Sequence, residues 1–211
     1  MSLPRASKIV CVGRNYAAHA RELGNQVPDR PLLFLKPPSS LIGDGDVIVL
    51  PDESTRVEHE GEIGVVIGRR ARAVAEGEAL EAVAGYVPLN DVTARDLQKT
   101  DSQWTRAKGF DTFCPVGALH PADGVDWRSL EITCTVNGLV RQRGSADSMV
   151  FGVPYLIAYI SSIMSLEPGD IIATGTPEGV GPLDDGDTVC VEITQVGRVE
   201  NAVRRRITEA S

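Results

Sequence analysis

The feature that most constrains this chain is the run Val57-Glu-His-Glu-Gly-Glu-Ile-Gly-Val-Val-Ile67. Ile63 to Ile67 are apolar and mostly β-branched, so the run reads as a strand entering a core. Side chains on a strand alternate faces. Glu60 and Glu62 therefore share one face, about 6.6 Å apart along the backbone, while His59 turns to the other. Two like charges at the mouth of an apolar strand repel each other, and a divalent cation removes the repulsion. Oxygen ligands of this kind suit Mg²⁺ or Mn²⁺, with coordination positions left for water and substrate. An exposed Glu-x-Glu pair on a wet strand needs no metal, and Glu58 has the same parity. A third acid is needed to choose. Asp91 offers one, in Tyr86-Val-Pro-Leu-Asn-Asp-Val-Thr-Ala-Arg-Asp-Leu-Gln98.

The 211 residues suffice for one well-buried domain, and no Ser/Gly-rich or charge-rich linker divides them, so a single domain over 1–211 is expected. A formal charge of −8 and a pI near 4.9 argue against a nucleic-acid surface. The basic run Arg204-Arg-Arg206 lies near a chain end and reads as solvated. Cys11, Cys114, Cys134 and Cys190 have no C-x-x-C spacing, which argues against zinc. Cys11 and Cys190 lie in apolar runs and read as buried thiols, in keeping with a reducing cytoplasm. The N-terminus has no long apolar segment, so neither a secretory signal nor a membrane span is expected.

Along the chain, Lys8–Val12 and Leu32–Leu35 read as short strands. Asn15 is placed to cap a two-turn helix over Tyr16–Leu23 that stops at Gly24, too short to be stable alone. Gly45-Asp46, Gly169-Asp170 and Gly186-Asp187 each turn into an apolar strand. Ala75–Val83 has helical spacing. Leu130–Leu139 reads as a hairpin turning at Asn137-Gly138. Val153–Leu166 is the long helix, stopped by Pro168 and Gly169. Many short strands and a few helices, without strict β-α alternation, predict an α+β, strand-dominated chain.

Other groups could carry chemistry. His19 and Glu22 share a helix face, where a carboxylate can orient a histidine as a general base; a surface pair is the alternative. Arg95 and Gln98 follow Asp91, and arginine suits a carboxylate. Lys108 sits among small and aromatic residues; buried, it could act as an acid or neutralise an anion. His120 precedes a proline in an apparent loop. Thr174-Gly-Thr-Pro-Glu-Gly-Val-Gly181 is glycine-rich without being a P-loop, and either admits an anion to backbone N–H groups or is a plain turn cluster.

Six segments occur in one order: Gly13-Arg-Asn-Tyr16 with His19 and Glu22, Leu35-Lys-Pro37, the Glu-x-Glu strand, Asn90-Asp-Val-Thr-Ala-Arg-Asp-Leu-Gln98, Ala107-Lys-Gly-Phe110 and Thr174-Gly-Thr-Pro-x-Gly-Val-Gly181. Together they resemble the fumarylacetoacetate hydrolase family over nearly the whole chain. The resemblance is to its short branch, with acylpyruvate hydrolases, oxaloacetate decarboxylases and 2-hydroxyhepta-2,4-diene-1,7-dioate isomerase/decarboxylases. It implies a mixed β-roll, a homodimer, and Mg²⁺ or Mn²⁺ held by Glu60, Glu62 and Asp91. It implies His19, Glu22 and Lys108 as catalytic groups, with residues 15–25 a mobile lid. Arg14, Arg95, Gln98, Gly175 and Thr176 fall on the substrate side. The implied activity is hydrolysis of a C–C bond in a 2,4-dioxo acid through a metal-bound pyruvate enolate. Oxaloacetate decarboxylation and dienol isomerisation are alternatives on the same site. A metal-stabilised binding protein and a glycosidase acting through Glu60 and Glu62 are the rivals from other classes.

Overall fold

The computed structural model describes residues 5–206. Two sheets dominate it. A six-stranded sheet runs in the spatial order His120–Pro121, Val83–Asn90, Gly61–Ile67, Ile171–Ala173, Ile9–Gly13 and Leu32–Lys36. Its pairings are antiparallel except that of Ile9–Gly13 with Ile171–Ala173. A five-stranded sheet is ordered Leu139–Ser145, Glu131–Val136, Thr188–Ile193, Gly197–Arg205 and Val47–Leu50, with only the last pairing parallel. The fold is strand-dominated α+β, with mixed sheets, as the many short apolar runs predict.

The strand Gly61–Ile67 is buried along its entire length. Val83–Asn90 and Ile171–Ala173 flank it within its own sheet, and the second sheet packs across it through Glu131–Val136 and Thr188–Ile193. Gly61 makes that approach possible, because a Cβ there would lie 3.1 Å from Cys134 Cβ. Apolar side chains of both sheets then join one core, with Ile63, Val65, Ile132 and Val191 each fully or almost fully buried. At roughly 1.5–3 kcal/mol for each large apolar side chain removed from water, this packing fixes the strand that carries the two glutamates.

The turn signals behave as their chemistry demands. Gly45, Gly169 and Gly186 have φ of +81°, +91° and +94°, a region that glycine enters without steric cost. The hairpin turns at Asn137 (φ 53°) and Gly138 (φ 76°), the left-handed pair of a type I′ turn.

Five local expectations change, the last of them the burial of Cys190. The helix before Gly24 spans Ala17–Glu22, but Asn15 does not cap it. The Asn15 amide instead donates to Phe151 O and Thr174 O, and its Oδ1 accepts from Phe151 N–H at 2.8 Å. It ties three segments together, a role invisible to local pattern. The Ala75–Val83 segment is a 3₁₀ helix over Glu76–Ala82, and Val83 already belongs to the next strand. The helix from Val153 ends at Ile163, because Met164 turns extended and Leu166 exchanges backbone hydrogen bonds with Ala71. His120 pairs with Tyr86 as a short strand rather than lying in a loop. Cys11, Cys114 and Cys134 are buried free thiols, while Cys190 is half-buried. Arg204, Arg205 and Arg206 are exposed, as expected of a solvated run. Among the described residues no helix is long and apolar enough to cross a membrane.

Candidate metal centre and cavity

Glu60 occupies the break between the strands Val57–His59 and Gly61–Ile67. Its N–H donates to Asn90 Oδ1 at 2.9 Å, and its carbonyl accepts from Asp91 N–H at 2.9 Å. These bonds lock the end of the Glu-x-Glu strand to the end of Val83–Asn90. They bring Glu60, Glu62 and Asp91 together, with one carboxylate oxygen from each lying within 4.8 Å of the others. All three are buried, at 5 %, 2 % and 0 % exposure. An exposed Glu-x-Glu pair on a wet strand is thereby ruled out.

Glu58, which shares their parity, goes elsewhere. It pairs with Arg56 and accepts from Arg95 Nε at 2.7 Å. Arg95 also donates to Glu60 Oε1 and Gln98 Oε1, so one guanidinium holds three side chains in register. Burial alone would raise the carboxyl pKa of Glu60. The charges of Lys108 and Arg95 outweigh it and hold the group well below the usual range. Lys108 donates to Glu60 Oε2 at 2.8 Å and to Asp91 Oδ2 at 2.6 Å. Burial opposes its charge, but those two carboxylates keep it above the ordinary lysine value. The ordinary surface lysine is thus excluded.

Glu62 is different. It receives one hydrogen bond, from Gly175 N–H to Oε2 at 2.8 Å. Burial and the neighbouring charges of Asp91 and Glu60 push its carboxyl well up. Asp91 Oδ1 is buried and accepts no hydrogen bond; Lys36 Nζ stands 2.7 Å away as an ion-pair partner. Three convergent carboxylates, one under-neutralised and one with an oxygen free of hydrogen bonds, form a donor set that fits a hard divalent cation. Glu60, Glu62 and Asp91 would hold it.

The triad opens into a cavity of about 410 Å³. His19, Glu22, Arg14, Gln98, Lys108 and Thr176 reach its wall, as do Arg95 and the triad itself. Gly175 is not on the wall; it touches the site through the hydrogen bond its N–H donates to Glu62. His19 is 5 % exposed, and its Nδ1 lies 3.3 Å from Glu22 Oε2. Glu22 in turn accepts from Gly179 N–H at 3.0 Å, joining the short helix to the glycine-rich loop. Thr176 Oγ1 donates to Gly61 O at 2.9 Å and accepts from Gln142 Nε2 at 2.8 Å. Its hydroxyl is committed to holding the loop against the Glu-x-Glu strand.

Several contributors escaped the sequence reading. Lys36 is 1 % exposed and donates to Val92 O at 3.0 Å; Leu35-Lys-Pro37 entered the sequence reading as a segment of the resemblance, with no role attached to the lysine. Gln142 accepts from Gly61 N–H at 3.0 Å and donates to Pro177 O at 2.8 Å. It belongs to the other sheet, and nothing in its neighbourhood marks it. His59 does face away from the triad, and its Nδ1 meets Gln142 Oε1 at 3.0 Å. Phe34 and Trp104, edge to face with centroids 5.2 Å apart, give the cavity its aromatic wall.

Comparisons with known proteins agree with this geometry. The family model described as fumarylacetoacetate (FAA) hydrolase C-terminal matches residues 8–204. A mitochondrial oxaloacetate tautomerase of Arabidopsis thaliana is 48 % identical over 212 residues, covering 98 % of this chain and 95 % of that protein. A mitochondrial oxaloacetate decarboxylase of Dictyostelium discoideum is 47 % identical, covering 89 % and 88 %. The crystal structure of 2-hydroxyhepta-2,4-diene-1,7-dioate isomerase from Mycobacterium marinum superposes with TM-score 0.88 at 45 % identity, over 96 % of this chain and 76 % of the other. That of fumarylpyruvate hydrolase from Pseudomonas aeruginosa, in complex with Mn²⁺ and pyruvate, gives 0.90 at 32 % identity, over 95 % and 91 %. On the extent of these matches, the chain belongs to the fumarylacetoacetate hydrolase family, in its short branch.

Proposed function

We propose that this chain is a divalent-metal-dependent enzyme that makes and discharges the enolate of a small 2-oxo acid, with oxaloacetate as its leading substrate. One observation carries the reading: three buried carboxylates converge within 4.8 Å at the floor of a cavity that also holds His19. A divalent ion held by Glu60, Glu62 and Asp91 would supply Lewis acidity to the C2 oxygen of the substrate.

The protein side of the reaction follows from positions. His19 Nδ1 is engaged by Glu22, which leaves Nε2 as the atom to take a proton from substrate C3 or from water. Lys108 sets a buried positive charge beside the place where the C2 oxygen gains negative charge, and needs no reorganisation to do so. Arg95, pinned by Glu58, fixes Glu60. Phe34 and Trp104 exclude water from one side and strengthen every charge interaction within.

Keto–enol interconversion of oxaloacetate and its decarboxylation both use this apparatus without an attacking water. The names borne by the relatives at 47–48 % identity support that order of preference. Hydrolysis of acylpyruvates, which the sequence placed first, is the second reading. The His19–Glu22 pair favours it, because a base held beside a carboxylate is what water activation requires. The Mn²⁺ and pyruvate in the fumarylpyruvate hydrolase structure support the shared metal and product.

The test is kcat/KM with Mg²⁺ for oxaloacetate, acetylpyruvate, fumarylpyruvate and a hydroxymuconate-type diacid, each repeated with EDTA. The reading requires metal-dependent turnover of oxaloacetate. Activity that survives EDTA, or turnover of none of the four, contradicts it.

A further inference from the structure

Charge pairing inside the cavity is uneven. Carboxylates and permanent cations line it in equal number, four of each. Arg95 and Lys108 are consumed by Glu58, Glu60 and Asp91. Arg14 and Lys99 are not: among the described residues, neither side chain makes a hydrogen bond or an ion pair, although both line the cavity. Arg14 is half-buried and has a φ of 59°, a left-handed conformation that a non-glycine residue rarely takes. Lys99 lies in the last turn of the short helix Arg95–Thr100 and is exposed. One half-buried and one solvated cation thus line the same cavity as the triad with no ion-pair partner among the described residues.

We infer that Arg14 and Lys99 form a subsite for the far carboxylate of a dicarboxylic 2-oxo acid. This rests on the proposed function and specifies its substrate class. A divalent ion adds two positive charges to a cavity whose lining is balanced, and a dianion restores the balance. A carboxylate is also the group that a guanidinium and an ammonium hold best when both are free.

The pairing has a chemical consequence. Decarboxylation of oxaloacetate breaks the C3–C4 bond. The C4 carboxylate leaves as neutral CO₂, and its electron pair moves to C3 and by conjugation to the C2 oxygen. A cation bound to that carboxylate stabilises the reactant and loses its partner as the bond breaks, so it opposes cleavage. Keto–enol interconversion leaves the C4 charge in place: a base takes the C3 proton and the C2 oxygen gains one. Arg14 and Lys99 therefore steer oxaloacetate towards interconversion and away from loss of CO₂.

Calorimetry on the Mg²⁺-loaded full chain tests the subsite without turnover. The ligands are 2-oxoglutarate and 2-oxopentanoate, which differ by a terminal carboxylate against a methyl. Arg14→Gln and Lys99→Gln, singly and together, should lower the preference for 2-oxoglutarate by about tenfold to a hundredfold, the span of a charge-assisted hydrogen bond. With oxaloacetate, the same variants should raise pyruvate formation relative to keto–enol interconversion. An unchanged preference, or an unchanged or lowered share of pyruvate, overturns the subsite while leaving the proposed function standing. If the unaltered chain binds neither ligand with Mg²⁺, the proposed function falls and the subsite with it.

Discussion

At the scale of single residues, the site is a set of charges that balance only together. His19 is the sharpest case. As a general base it contributes about 10²–10⁴-fold, so His19→Ala should lower the rate of proton transfer at C3 by that factor while metal binding persists. Stopped-flow measurement of oxaloacetate enolisation checks this, and an unaltered rate removes the base assignment. His59 supplies a pH test of the core. Burial pushes its pKa below the ordinary imidazole value, and the hydrogen bond to Gln142 offsets only part. Below about pH 6.5 the unfolded chain takes up a proton that the folded chain refuses. Stability from His59 is therefore present above that pH and lost as pH falls through the depressed value. Glu62 acts with the opposite sign between its ordinary and its raised pKa, so the comparison must be between variants. His59→Gln should lose less stability from pH 7 to pH 5.5 than the unaltered chain in urea unfolding; equal slopes would show that His59 is not held neutral.

At the scale of elements, the short helix Ala17–Glu22 depends on others for its stability. Six residues cannot sustain a helix by propensity. What holds it is Glu22 on Gly179 and the Asn15 bridge beneath it. We expect residues 15–25 to exchange amide hydrogens quickly without ligand and slowly with Mg²⁺ and oxalate, as a closing segment would. Equal protection in both states counts against closure. Elements also show what the sequence could convey. Alternation placed Glu60 and Glu62 on one face and His59 on the other, and glycine chemistry placed the turns at Gly45, Gly138, Gly169 and Gly186. These are local effects of backbone geometry. Asn15, Lys36 and Gln142 were misread or passed over because their partners lie between 34 and 159 residues away. Their roles exist only once the strands have paired. The strand Val83–Asn90 was passed over because it is buried along most of its length and so shows no alternation of apolar and polar residues.

At the scale of the whole molecule, two sheets meet over Gly61, and Glu60, Glu62 and Asp91 converge beside the line where they meet. The packing that buries the Glu-x-Glu strand also strips water from its carboxylates, which creates the need for a cation. Leu35, Leu139, Val140 and Ile163 remain largely exposed, at 48 %, 61 %, 48 % and 51 %. The homodimer implied by the family resemblance should appear in sedimentation as a mass near twice 22.6 kDa, and a mass of one chain would contradict it. The central claim, however, concerns the triad, and Mn²⁺ titration of the purified chain by calorimetry tests it most directly. The account predicts saturable binding with about one ion per chain, abolished by Asp91→Ala and strongly weakened by Glu60→Gln and Glu62→Gln. No binding by the unaltered chain, or binding that survives all three substitutions, would contradict it.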